Sequence, residues 1–243
     1  MLITENIFYK TNPSAFAAAD LEQRSEAWHA ARLGCVTASR VADVVAKTKS
    51  GYAASRQTYM GQLLSERLTG LPTETFQNAA MRWGTDMEGF GVQAYEEATG
   101  LETFEVGFLF HPNLGYAGAS PDRLVAPDGL VEIKCPTTIT HIETLLKGEV
   151  PERYVIQMQW QMACSDRAWC DFVSFDPRVP EDYQLFIQRV ERNSEQIAEL
   201  EAEVGRFLAE VEAKLDALED LHSRYGGAPD LSGHRPASFS PNQ

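Results

Sequence analysis

Cysteine is scarce in this chain, and its placement excludes more than its number. Cys35, Cys135, Cys164 and Cys170 are the only four, and no two of them share a Cys-x-x-Cys spacing. That disfavours a zinc knuckle or an iron–sulfur cluster and suits thiols kept reduced in a cytoplasm. No run of about eighteen apolar residues is present, so no membrane-spanning helix is expected. The first eight residues, Met1 to Phe8, lack the basic-then-apolar form of a secretory signal. No internal repeat is visible.

Basic residues are also in short supply. Lys and Arg number 21 against 35 Asp and Glu, a formal charge of −14, which opposes binding to a polyanion. The deficit is uneven along the chain. Eight bases face four acids between Arg24 and Arg82, whereas ten acids face three bases between Glu191 and Asp220. The expectation is a basic front for an acidic partner and an acidic rear that keeps the protein soluble.

What the chain does contain is concentrated between Gly118 and Pro136. Two short apolar runs, Arg123 to Ala126 and Leu130 to Ile133, flank Pro127-Asp128-Gly129, and Asp-Gly is a strong hairpin signal. Asp122 opens the first strand. Glu132 and Lys134 stand two apart on the second, and so share one of its faces. Two carboxylates beside a lysine make a hard oxygen site for Mg²⁺ with an ammonium near metal-bound water. The other reading of the same residues is a turn aspartate and a solvated strand face.

The neighbouring segments supply context. Ala79 to Thr99 reads as a helix stopped at Gly100, and carries Glu88 as a third carboxylate. Pro151 opens another helix bearing Gln157 and Gln159. Trp169 to Phe175 is β-rich. Further helices are expected over Ser25–Leu33 with Ser25 as cap, Ala38–Ala46, Gln57–Leu68 and Thr137–Lys147. Lys47 to Arg56 reads as a basic loop, Phe104 to Phe110 as one strand, and Tyr183 to Val190 as an edge strand. Asn193 and Gln196 open a last helix. Its stripe of Ile197, Leu200, Val204, Phe207, Leu208, Val211, Leu215 and Leu218 suits packing on its own domain or a coiled-coil partner. Gly226-Gly227 is expected to end it. Residues 1–20 read as an extended lead-in, 1–227 as a single domain, and 228–243, rich in Pro and Ser, as a disordered tail.

Four blocks in order carry a resemblance: Trp28-His29-Ala30-Ala31-Arg32-Leu33-Gly34 with Thr37-Ala38-Ser39; Trp83-Gly84 with Glu88; Ser120-Pro121-Asp122 with Glu132-Ile133-Lys134-Cys135-Pro136; and Gln157-x-Gln159 with Asp176-Pro177-Arg178. Across residues 25 to 192 the chain resembles the lambda-type exonucleases, or YqaJ-like viral recombinases, of the PD-(D/E)xK nuclease superfamily. The resemblance implies an α/β, restriction-endonuclease-like core with a central mixed β-sheet flanked by helices. It implies a Mg²⁺-dependent 5′→3′ exonuclease on linear duplex DNA, encoded by a phage or prophage in a bacterial cytoplasm. It also implies a ring-shaped homotrimer and a single-strand annealing protein as partner.

Onto this sequence the resemblance places two Mg²⁺ ions, with Mn²⁺ able to substitute, held by Asp122, Glu132, the Ile133 carbonyl and Glu88. Lys134 orients the attacking water and Gln157 lies beside the site. Arg32, Ser39 and Ser120 match a pocket for a 5′-phosphate, although a helix-surface charge and an ordinary cap explain the first two equally simply. Lys49 and Met81 are candidates for parting the terminal base pair, with a core role as the alternative for Met81. An endonuclease or repair nuclease on the same core, or an inactive DNA-end-binding module, are the competing functions. Restriction-type base-reading motifs are not apparent.

Overall fold

The structure is a computed structural model that describes residues 18–73 and 79–225. The N-terminal lead-in up to residue 17, the Gly226-Gly227 stop and the 228–243 tail lie outside the described residues. Ser25 caps the first helix, α1 (Glu26–Arg32), by accepting from the Trp28 N–H at 3.2 Å. The chain then forms β1 (Val36–Thr37), α2 (Ala38–Val45), β2 (Lys47–Thr48), β3 (Gly51–Tyr52), α3 (Ala54–Thr69) and α4 (Ala79–Thr99). After α4 come β4 (Thr103–Phe104), β5 (Leu109–Phe110), β6 (Ala117–Ala119), β7 (Arg123–Val125) and β8 (Gly129–Lys134). The remainder is α5 (Thr138–Lys147), α6 (Glu152–Ser165), β9 (Trp169–Phe175), β10 (Leu185–Glu191) and α7 (Ser194–Tyr225). None of the described helices is long and apolar enough to cross a membrane.

The central sheet is mixed, in the order β10-β9-β8-β7-β4. β8 and β9 run parallel, and the other neighbours are antiparallel. Alternation along β8 decides the layering. Val131 and Ile133 join Val92 and Tyr95 of α4 on one face. Leu130 faces the other way, with Met158, Met162 and Ala163 of α6. Glu132 and Lys134 share the parity of Leu130, so both project toward α6. A smaller sheet, β1-β6-β5, sits beside this one. The mixed sheet between helices agrees with the expected core.

Two expected elements differ. The strand predicted over Phe104–Phe110 is split between the two sheets. Gly107 and Phe108 donate instead to the carbonyls of Ala19 and Ala18, at 2.7 and 2.8 Å, and this breaks the ladder. The basic loop predicted over Lys47–Arg56 is a small hairpin, β2–β3, running directly into α3.

The apolar stripe of α7 is buried in its own chain, Ile197 against α6 and the central sheet and Leu200 to Leu215 against α2, α3, β6 and Trp160, and only its last member, Leu218, is exposed. That docking overturns the expected separation of a basic front from an acidic rear. Glu203, Glu210 and Glu212 of α7 take the charges of Lys47, Arg56 and Arg67 at 3.0, 2.7 and 2.8 Å. Both arginine side chains are almost wholly buried, so each needs its carboxylate. Much of the basic segment is thus consumed inside the fold.

Candidate active site

Where β7 leaves β8, a side chain takes over the ladder. Arg123 pairs with Val131, and one more step of that register sets Asp122 across from Glu132. Asp122 Oδ2 accepts from the Ile133 N–H at 2.7 Å, which fixes its carboxyl at the end of the central strand. The approach to Asp122 is held from upstream: Gln23 Nε2 donates to the carbonyls of Val106 and Pro121 at 2.8 and 2.9 Å.

Glu132 is buried and receives three side-chain donors. Lys134 and Gln157 both donate to Oε1, the latter at 2.6 Å, while Gln161 donates to Oε2 at 2.5 Å. A buried carboxylate requires such compensation. Gln157, the glutamine placed beside the site from the sequence, reaches Glu132. Gln159 points the other way and ties the β10–α7 connection, donating to the Glu191 carbonyl and accepting from the Asn193 N–H. The second amide on Glu132 is Gln161, because residues four apart share a helix face, whereas residues two apart do not. That spacing was the missed signal.

The acids crowd one another electrically. Burial, then Glu132, and to a smaller degree Glu88, push the Asp122 carboxyl up to about 8. Burial opposes the charge on Lys134, yet Glu132 and Asp122 outweigh it and hold the ammonium above its ordinary range. Glu88 itself is on α4, on the opposite side of the sheet from α6, and bonds Arg24 at 2.5 Å rather than the other acids. Among the described residues, no three acidic, histidine or cysteine side chains are gathered into a ready metal cage.

α4 approaches β8 closely because of Gly91. A Cβ there would stand 2.8 Å from Ile133 Cγ2 and 3.5 Å from Cys135 Sγ. Arg178 connects the remaining blocks. It forks onto Asp176, donates to the Pro136 carbonyl at 2.9 Å, and lies 4.1 Å over the Trp83 ring.

A second polar cluster stands just before Asp122. Ser120 Oγ accepts from Arg32 Nη1 at 2.8 Å and from Trp28 Nε1 at 3.0 Å. The Arg32 guanidinium also lies 4.0 Å over the Trp28 ring, and burial lowers it to about 10. Parallel pairing of Thr37 with Gly118 brings Ser39 and Ser120 off the same end of the small sheet. Ser39 is exposed in the first turn of α2. Lys49 is at the exposed tip of the β2–β3 hairpin. Met81 is exposed at the start of α4, two helical turns before Glu88 and on the same side of that helix.

Comparison with known proteins gives these clusters a lineage. A family model described as a YqaJ-like viral recombinase domain matches residues 27–168. The crystal structure of an alkaline exonuclease, LHK-Exo, from Laribacter hongkongensis is 52% identical, with a TM-score of 0.78 over 82% of this chain and 99% of that one. The same exonuclease in complex with dAMP matches equally well. A phage-related exonuclease from Haemophilus somnus 129PT, 14% identical with a TM-score of 0.55 over 74% of this chain and 96% of that one, shares the fold. A search of curated proteins gives no match. The sheet order, the hairpin acids and these matches converge: the chain belongs to the YqaJ-like viral recombinase family and has the PD-(D/E)xK nuclease fold.

Proposed function

We propose that this protein is a divalent-metal-dependent exonuclease. It digests one strand of linear duplex DNA from the 5′ end, releases 5′-mononucleotides and leaves a 3′ overhang for recombination. The observation that carries this reading is Glu132, fully buried and gripped by Lys134, Gln157 and Gln161 across from Asp122. A buried acid needs this many donors to be held there, and a lysine and two amides fixed on one carboxylate beside a second acid make a preorganised site. The 52% identity to an alkaline exonuclease supports nuclease chemistry, and that relative's dAMP complex supports a mononucleotide product.

The donor set fits Mg²⁺. Asp122, Glu132 and the Ile133 carbonyl offer hard oxygens, and burial followed by the neighbouring Glu132 charge has raised the Asp122 carboxyl in a way a cation would relieve. Mn²⁺ offers the same preference for oxygen. Bound divalent cations supply an activated water and neutralise charge on the phosphate. Gln157 and Gln161 fix the Glu132 carboxylate, and Lys134 places an ammonium at the same oxygen. Arg32 and Ser120, with Ser39 beside them, offer a fork and hydroxyls to a terminal 5′-phosphate. Met81 and Lys49, both exposed, are the candidates for parting the terminal pair.

With so few free bases, retention on DNA is assigned to encirclement by a homotrimer, and the emerging 3′ strand to a single-strand annealing protein. Light scattering is expected to report about three times the 27.0 kDa chain mass. The decisive assay compares linear 5′-phosphoryl duplex with closed circular duplex in Mg²⁺. Linear DNA should yield mononucleotides, and Asp122→Ala should slow this about a thousandfold or more. Digestion of the circle, or full activity in D122A, overturns the reading.

A further inference from the structure

Arg24 is the residue whose position the reaction does not explain. Its backbone is left-handed, with φ of 70°, a conformation that costs a non-glycine residue and persists only where neighbours enforce it. The neighbours are identifiable. Gln23 is tied to the segment that delivers Asp122. Ser25 caps α1, and its own N–H bonds the Glu22 carbonyl at 3.2 Å. Fixed on both sides, Arg24 sends its guanidinium across to Glu88 Oε2 at 2.5 Å. The pair lies in a cleft whose walls include Thr85, Glu105 and Arg123. Arg123 in turn donates to the Asp122 carbonyl at 2.7 Å.

We propose that Arg24 is a positioning residue that holds Glu88 away from the metal site until a divalent cation competes for that carboxylate. The proposal rests on the metal-site reading above. Glu88 is the candidate ligand least committed to its acidic neighbours and most committed to a base. Arg24 side chain is about half exposed and Glu88 only partly so, so the pair is weak enough for a cation to displace. The released guanidinium then faces a cleft in which a DNA strand offers it a phosphate.

The test is calorimetric titration of Mg²⁺, and separately Mn²⁺, into the full chain without DNA. Arg24→Gly is the informative variant, because glycine accepts this φ without strain and removes only the side chain. R24G is expected to bind cation about two- to fivefold more tightly, the factor set by a partly exposed ion pair. In an E88Q background, adding R24G should change cation affinity no further, an interaction read by the double-mutant cycle. Normal uptake by wild type with unchanged or weaker affinity in R24G overturns this proposal alone. No uptake by wild type overturns the metal-site reading and this proposal together.

Discussion

Gln161 donates its side-chain N–H to Glu132 Oε2 at 2.5 Å, from a helix on one face of the sheet to the middle strand of that sheet. One turn earlier on the same helix, Gln157 serves the other carboxylate oxygen at 2.6 Å. The two amides clamp the acid in one rotamer, which matters because a carboxylate that swings cannot hold a reacting group at a fixed distance.

Replacing Gln161 by leucine is therefore expected to damage both stability and rate. The buried Oε2 loses its donor, at a cost of about 1–3 kcal/mol to stability. Urea denaturation of Q161L measures the first effect, and digestion of linear duplex at saturating Mg²⁺ the second. Wild-type values in both would show that the clamp is idle.

Two glycines of α4 should behave oppositely. Gly91→Ala places a Cβ 2.8 Å from Ile133 Cγ2, and is expected to cost about 1–3 kcal/mol and to shift Glu88 with its helix. At Gly89 an added Cβ meets nothing within 4 Å. Gly89→Ala should gain roughly 0.5–1 kcal/mol, from helix propensity alone. Thermal melts of the two variants separate close packing from propensity.

The contribution of Asp122 to the stability of the metal-free protein should fall as pH rises from about 4 to about 8. Asp122 titrates near 8 in the folded chain against an ordinary 3.8, so the native state holds an extra proton between those values. Stability is then fully present below the lower value and falls through the window. Asp122→Asn in chelator should flatten this component of the pH profile. Divalent cation uptake should release protons below pH 8, and pH-stat titration reads them directly.

Arg32→Ala should erase a preference for 5′-phosphoryl over 5′-hydroxyl ends. Among the described residues the guanidinium is held by a hydroxyl and two aromatic rings and by no carboxylate, so its charge is not already neutralised when a phosphate arrives. Matched duplexes differing only in the end group test this, scored by initial rate. Equal rates in the wild-type enzyme would end the pocket assignment.

The chain itself determined its local structure to a large extent. The helix over Ala79–Thr99 and its stop at Gly100, the Ser25 and Asn193 caps, and the hairpin around Asp128-Gly129 all follow from short-range chemistry. The same holds for the shared face of Glu132 and Lys134, because a strand has period two. What lay beyond reach depended on partners distant in sequence. Ala18 and Ala19 break one expected strand into two. The docking of α7 converts an apparent basic front into Arg56–Glu210 and Arg67–Glu212 pairs. Gln161, not Gln159, meets Glu132 only because α6 lies on that face of β8. Arg24 finds Glu88 from 64 residues away. Propensity and periodicity act over a few residues, whereas side-chain neutralisation and register between elements are decided by packing, and only the assembled chain defines them.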